Sequence, residues 1–504
     1  MFSWRTWIFL AAIVCIAPVS CAKHDAGDDK PYLPDPLAID QWYLANDSNY
    51  LTINLSANQF KGDGVLVALV DNGIDIYHED LINNIGEGSY NYLGAAYDFT
   101  DADHGTACAG IIAAEEGNGI GIRGIAPHAS VIGFNALRTP AISNLADALV
   151  RHKKRVWVSS NSWGDFNSWG EPLALRSLIE AALADGTTNG RDGKGIVYVF
   201  SAGNGSTDFS GVPTDNVNYS GLVNNRYTIP VCAVDEHGKR APYSEKGATL
   251  IVCAPSRGSS GPAITTTDVT GAPGYNPKKF KDDYEDENYT RYFSGTSASA
   301  PIVSGIVALM LNANPRLGWR DVRTILARSA SKIDAEDAGW EINGAGLHVN
   351  HQYGFGAVDA DRAIDMAKSW INAGEEKVLS AERQLNLPIP DNDPQGIADA
   401  IDIDSDLKVE FVEVVFNAPD HTRIGDLEVI LTSPSGTQSI LAEKHTQLFE
   451  VFRYNNWRFG SARHLGENAR GAWRLSVVDH AGHETGTLVS WELRVYGYAV
   501  VNTN

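Results

Sequence analysis

Val65-Leu66-Val67-Ala68-Leu69-Val70-Asp71-Asn72-Gly73-Ile74-Asp75 passes from six apolar residues straight into an acidic turn. An unbroken apolar run has no polar face to offer water, so it reads as a strand covered on both sides, as in a parallel sheet. The pattern returns at residues 131–136, 156–159, 196–200, 229–234 and 248–254. Amphipathic stretches such as 145–152 and 173–184 fall between these runs and read as helices. The alternation predicts a doubly wound, mostly parallel α/β sheet with its reactive groups at the carboxyl ends of the strands. Asp71 stands at such an end.

Three further segments carry chemistry. His104-Gly105-Thr106-Ala107-Cys108-Ala109-Gly110 opens a helix of small residues. Phe200-Ser201-Ala202-Gly203-Asn204-Gly205 ends a strand run, and Ser294-Gly295-Thr296-Ser297-Ala298-Ser299-Ala300-Pro301 precedes an apolar helix over 302–312. A serine hydroxyl becomes a useful nucleophile only when a base takes its proton. His104 can be that base, and a buried Asp71 would fix the imidazole tautomer and stabilise its charged form. Ser297 at a helix N-terminus gains a backbone N–H aimed at developing negative charge, and the Asn204 side-chain amide can supply a second oxyanion donor. Each segment alone is a common turn or helix start. Together, in the order Asp…His…Asn…Ser, they form one constellation.

The whole chain fits a folded protein of two or three domains: 504 residues, 43% hydrophobic and 20% charged. Its formal net charge of −22 makes nucleic acid a poor partner. Acidity suits calcium and basic peptides, or serves solubility alone. Residues 1–21 read as an export signal: Arg5, an apolar run over 8–19 too short to span a bilayer, then Ser20, Cys21 and Ala22. Pro18-Val19-Ser20-Cys21 also resembles a lipobox, so lipidation of Cys21 and a membrane anchor stand beside plain cleavage. Among the remaining cysteines, Cys232 and Cys253 lie in strand-like runs where a bridge is geometrically feasible, and buried cysteines also act as small hydrophobes. Residues 373–386 read as a linker, and proline-rich 387–394 as an extended lead-in. Short alternating strands follow at 409–416, 427–433, 473–479 and 488–496, which predicts an all-β sandwich or barrel.

The chain resembles the subtilases, and most of all their kexin and furin branch. Beyond the four segments above, the likeness rests on Gln41-Trp42-Tyr43-Leu44, Ser162-Trp163-Gly164, Asn189-Gly190-Arg191-Asp192, Pro242-Tyr243-Ser244-Glu245, Trp319-Arg320-Asp321-Val322 and Tyr353-Gly354-Phe355-Gly356. The β region resembles the P (homo B) domain through Arg423-Ile424-Gly425-Asp426-Leu427, 431–437, Gly466-Glu467-Asn468 and Gly486-Thr487-Leu488. The resemblance implies a subtilisin-like catalytic domain over 35–372 and a jelly-roll-like P domain over 387–500, after a short segment at 22–34. It implies a monomeric serine endopeptidase with Asp71, His104 and Ser297 as triad and Asn204 in the oxyanion hole. A broad-specificity subtilase and an inactive surface-binding protein are the alternatives.

The resemblance also implies calcium. A first site would take Asp35, Asp80, the Asn118 side chain and backbone carbonyls of Glu115, Ile120 and Ile122. A second would take Asp215 and Glu245 with Asp165. Ser162, Trp163, Gly164, Asp165 and Ser220 would border the substrate, and Asp101 would face its penultimate residue. Basic residues before the cleaved bond are the implied preference. Asn72 and Ser220 stand where the family carries acids, and Asp165-Phe166-Asn167 is shorter than the family's acidic loop. Subtilases carry a folded prodomain ahead of the catalytic domain, whereas residues 22–34 are too few to fold alone. A separate folding helper, or unaided folding, is the resulting expectation.

Overall fold

The structure is a computed structural model. It describes residues 32–499, except 46–48, 57–58, 95–100, 140, 165–169, 208–211, 213, 272–273, 277–281 and 447–451. The expected export signal with Cys15 and Cys21, and the candidate ligand Asp165, lie outside the described residues.

Six strands form the central sheet: β1 (Leu66–Val70), β2 (Ser130–Phe134), β3 (Val158–Asn161), β4 (Val197–Ser201), β5 (Thr228–Val234) and β6 (Val252–Pro255). Their order is β2-β1-β3-β4-β5-β6, and every pairing is parallel. All five residues of β1 are buried, as its apolar run requires. The chain leaves β1 to one side for β2 and returns on the other side for β3. A crevice therefore opens at the carboxyl ends of β1 and β3, where Asp71 and Ser162 follow the two strands. Cys232 and Cys253 are register partners on β5 and β6 and are joined by a disulfide.

Helices α1 (Asp103–Ala113), α2 (Ile142–Val150), α3 (Ser177–Asn189), α4 (Thr296–Ala313), α5 (Trp319–Ser329) and α6 (Ala360–Lys368) complete this domain. Among the described residues α4 is the one helix long and apolar enough to cross a membrane, but it is buried from Ala298 to Leu311 and packs against the central sheet. Its all-round apolarity is that of a core helix. A small hairpin, β7 (Ile264–Thr267) with β8 (Tyr289–Phe293), lies against α1 and leads into α4. A shorter one pairs β9 (Glu341–Ile342) with β10 (His348–Val349).

The C-terminal domain contains β11 (Glu376–Ile389), β12 (Ile397–Ile403), β13 (Lys408–Ala418), β14 (Leu427–Thr432), β15 (Gln438–Ala442), β16 (Tyr454–Ser461), β17 (Gly471–Asp479) and β18 (Gly486–Tyr498). They build two antiparallel sheets, β11-β18-β13-β16 and β12-β17-β14-β15, over a core that includes Trp473, Trp491 and Phe416. The linker assigned to 373–386 needs correction, because β11 pairs with β18 from Glu376 onward. The strand escapes sequence reading because it is an edge strand, largely exposed, whose charged residues mask any alternation. An edge also tolerates Pro388.

The two domains share a core: Phe411, Ala462 and Leu465 pack with residues of the α/β domain. Arg320 reaches Glu410 Oε2 through Nε (2.9 Å) and Nη2 (2.5 Å). Arg323 donates to the carbonyls of Arg226 (2.6 Å) and Glu410 (3.2 Å). The tip of the β9–β10 hairpin enters the β domain, where Asn343 Nδ2 donates to the carbonyls of Arg463 (2.9 Å) and Leu465 (3.1 Å).

Candidate active site

Asp71, 2% exposed, follows the last residue of β1. Its two carboxylate oxygens lie 2.9 and 3.0 Å from His104 Nδ1. That contact assigns the Nδ1 proton to the carboxylate and leaves Nε2 as the nitrogen able to accept one. His104 sits in the first turn of α1, which is pressed against the turn after β1: a Cβ on Gly105 would lie 1.8 Å from the Gly73 carbonyl oxygen. Burial alone would lower the His104 pKa. The Asp71 carboxylate, through its charge and its hydrogen bond, and then Asp103 outweigh that effect, so the net shift is upward.

Ser297 is the second residue of α4. The preceding turn needs Gly295, whose φ of 86° lies in the left-handed region. Pro301 is four residues beyond Ser297 and has no N–H to give its carbonyl oxygen. That oxygen instead accepts from Ser162 Oγ (3.0 Å) and Cys108 Sγ (3.6 Å). The Ser297 backbone is thus pinned to the end of β3 and to α1. The Ser297 hydroxyl donates to the Ser162 carbonyl at 3.3 Å. Cys108 Sγ lies within 4.8 Å of ligand atoms of Asp71 and His104, and it also contacts the Ser297 carbonyl, which puts the Ser297 backbone next to the Asp71–His104 pair.

Asn204 is exposed beyond the end of β4. Its Oδ1 accepts from the Thr296 N–H and hydroxyl, both at 2.9 Å. This fixes the amide and turns Nδ2 toward Gly295, on the approach to Ser297. An oxyanion bound there would meet Nδ2 and the Ser297 N–H.

Two pairs of buried acids stand where the cation sites were expected, Asp35 with Asp80 and Asp215 with Glu245. Asp80 is fully buried and Asp35 nearly so, both against loop 115–122. Asp35 accepts from the N–H groups of Gly117 (2.9 Å), Asn118 (3.1 Å) and Gly119 (3.4 Å). Asp80 accepts from Asn118 Nδ2 (2.8 Å) and the Ile122 N–H (3.0 Å). Burial, then repulsion from Asp35 and Glu115, pushes the Asp80 carboxyl up to about 7. Asn118 turns Nδ2 toward Asp80 while its Oδ1 accepts from the Ile120 N–H (2.9 Å), so an ion between the two carboxylates would gain the all-oxygen set that calcium takes only with that amide turned over. In the second cluster, burial and then the charge of Asp215 push the Glu245 carboxyl well above its usual range. Glu245 Oε1 accepts from the Gly205 N–H (3.1 Å) and would lie 2.1 Å from a Cβ on Gly203, directly beneath the loop that presents Asn204.

The substrate-facing candidates divide. Ser162 contacts Ser297 as described, Trp163 packs edge-on against Phe200 (5.3 Å between ring centroids), and Gly164 is exposed. Ser220 follows a short turn and pairs with Leu173. Asp101 has a 73% exposed side chain, yet it is engaged by Arg138 at 2.7 Å. Sequence reasoning missed Arg138, the Pro301–Ser162 device and a link between Asn72 and Asp103. The first and last are pairings across 37 and 31 residues that no local pattern reports.

Two family models match this chain: the subtilase family over residues 62–356, and the proprotein convertase P-domain over 409–495. The protease KEX1 of Kluyveromyces lactis is 33% identical over 485 residues, which cover 93% of this chain and 61% of that protein. The dibasic-processing endoprotease of Schizosaccharomyces pombe is 34% identical over 497 residues, covering 92% and 66%. The chain spans about three fifths to two thirds of the length of these curated relatives. A solved serine protease of Aeromonas sobria, in complex with a chaperone, superposes with a TM-score of 0.80 at 27% identity and covers 93% of this chain and 96% of its own.

Proposed function

The chain belongs to the subtilase family and continues into a proprotein convertase P-domain, and from that premise we propose that it is a calcium-dependent serine endopeptidase. The pairing of Asp71 with His104 Nδ1, beside Ser297 and Asn204, carries the reading. With its hydroxyl turned from the Ser162 carbonyl to the imidazole, Ser297 would give its proton to His104 Nε2 as the oxygen attacks a peptide carbonyl. Asn204 Nδ2 and the Ser297 N–H hold the resulting oxyanion. His104, now charged and stabilised by Asp71, returns its proton to the leaving amine, and water completes the cycle by the same route.

Calcium, when bound, neutralises buried acids and orders loops. Asp35, Asp80, Asn118 and the carbonyls of Glu115, Ile120 and Ile122 would hold one ion, and Asp215 with Glu245 a second, joined by Asp165. The acidic chain and Asp101 support a preference for basic residues before the cleaved bond. The Arg138 partner of Asp101 and the amide at Asn72 favour the second reading, a broader specificity. Export follows from the N-terminal signal, with anchoring through Cys21 as its variant. A separate chaperone is supported by the Aeromonas sobria complex.

The test combines a fluorophosphonate probe with a peptide library. We expect labelling at Ser297, loss of labelling in Ser297→Ala, and cleavage after Lys-Arg ahead of Phe-ending peptides. Absence of labelling with calcium present overturns the endopeptidase reading and leaves an inactive binding protein. Labelling with preference for Phe overturns only the basic specificity.

A further inference from the structure

Helix α1 has an unusual beginning. Its N-cap residue, Ala102, has no side chain able to cap, so the first N–H groups of the helix need acceptors from elsewhere. The His104 N–H donates to Asp103 Oδ1 (2.9 Å), and the Gly105 N–H donates to Asn72 Oδ1 (3.0 Å). Asn72 Nδ2 then donates to the same Asp103 oxygen (2.8 Å), and the Asn72 backbone N–H donates to Asp71 Oδ1 (2.7 Å). One residue therefore meets the catalytic carboxylate with its backbone N–H and both residues that flank the catalytic imidazole with its side chain.

We infer that Asn72 and Asp103 form a clamp that positions His104 against Asp71, which makes them positioning residues for the reaction proposed above and lets the inference rest on that reading. The chemistry selects the amide. Position 72 must donate and accept at once, which asparagine does and aspartate does not. A carboxylate at 72 would face the Asp103 carboxylate without a proton between them. The departure from the family's acid at this position thus has a structural reason: the acid has been exchanged for a brace.

The groups around His104 come from four segments. Asp71 follows β1, Asp103 and Cys108 belong to α1, and Phe293 of β8 lies edge-on to the imidazole at 5.5 Å; Tyr275 and Asp268, from the segment after β7, act on Asp103 and Asp71 behind it. Burial pushes the Tyr275 and Cys108 pKa values upward, so both stay neutral. Asp103 adds a negative charge near the imidazole, and the clamp acts on its basicity as well as its orientation.

The experiment measures kcat and KM on an arginine-ending peptide amide, per active site titrated with a fluorophosphonate, for Asn72→Ala, Asp103→Ala, Asp103→Asn and the Asn72→Ala/Asp103→Ala double variant, and turnover per mole of protein for Ser297→Ala. Misplacement by about 1 Å costs of the order of 100-fold, so each alanine variant should lose roughly 10- to 100-fold in kcat with KM nearly unchanged. The double variant should lose no more than the worse single one. Asp103→Asn keeps an oxygen acceptor for Asn72 and His104, so it should recover much of the kcat lost in Asp103→Ala while its acid limb moves to lower pH. If both alanine variants keep kcat within about threefold of the parent, or Asp103→Asn leaves the acid limb where it was, the clamp is wrong. Wild-type turnover in Ser297→Ala would instead overturn the triad reading and the clamp with it.

Discussion

His104 sets the pH at which this site can work. Its pKa is raised in the fold, so the neutral form that accepts the Ser297 proton accumulates above the usual histidine value. A raised pKa also means that charged His104 stabilises the fold below the unfolded value of about 6.5, and that this contribution is lost as pH climbs through the folded value. Activity should therefore rise over the window in which that stabilisation fades. In a kcat/KM profile the acid limb should have its midpoint above about 6.5, and Asp71→Asn should move it down. A midpoint well below that figure in the parent would contradict the pairing. At Asn204 we expect an alanine to cost ~100- to 1,000-fold in kcat with KM little affected, a range that comes from subtilisin itself. An unchanged kcat would mean that the oxyanion finds its donors elsewhere.

At the scale of elements, the central sheet was legible because its strands are buried on both faces and must be apolar throughout, as β1 is. The β11 strand was illegible for the opposite reason: one sheet neighbour and solvent place few demands on its side chains. The candidate triad and Asn204 were readable because each occupies a strand or helix end whose local chemistry is unusual. Partners such as Arg138 for Asp101 were not, since the contact is made by the fold and leaves no periodic trace. Cys232 and Cys253 fall between these cases, with strands that could be read and a bond that depends on their register. The junction of α1 with the turn after β1 gives a further test. With 1.8 Å available to a new Cβ, Gly105→Ala must push the helix from Gly73 and carry His104 with it. Fluorophosphonate labelling of that variant should fall below detection even where circular dichroism remains native, and normal labelling would show that the junction yields.

At the scale of the whole molecule, the β domain is bound to the catalytic one by charge as well as by shared core. Arg323 is almost fully buried, and burial lowers its pKa to about 10. Glu410, also buried, accepts from Arg320 with its carboxylate and from Arg323 with its backbone carbonyl. Removing one partner of a buried pair typically costs about 3–5 kcal/mol because the other charge is left behind. Glu410→Ala should lower the calorimetric Tm by that order of stability while both domains still unfold in one transition. An unchanged Tm, or two separated transitions in the parent, would mean that the domains are energetically independent. Chelation should act at the same scale. EDTA should lower the Tm of the parent but have a smaller effect on Asp80→Asn, whose first cluster needs less neutralisation, and equal effects would remove Asp80 from the ion's ligands.

The seating of Asn343 in the β domain has a consequence for timing. A ribosome delivers Ser297, His104 and Asn204 well before residues 463–465, so the hairpin tip that precedes them must wait for its socket. A half-made chain can hold a complete set of reactive groups on an unfinished scaffold, and competence to cut would arrive late in biogenesis, when there is less nascent polypeptide left to damage.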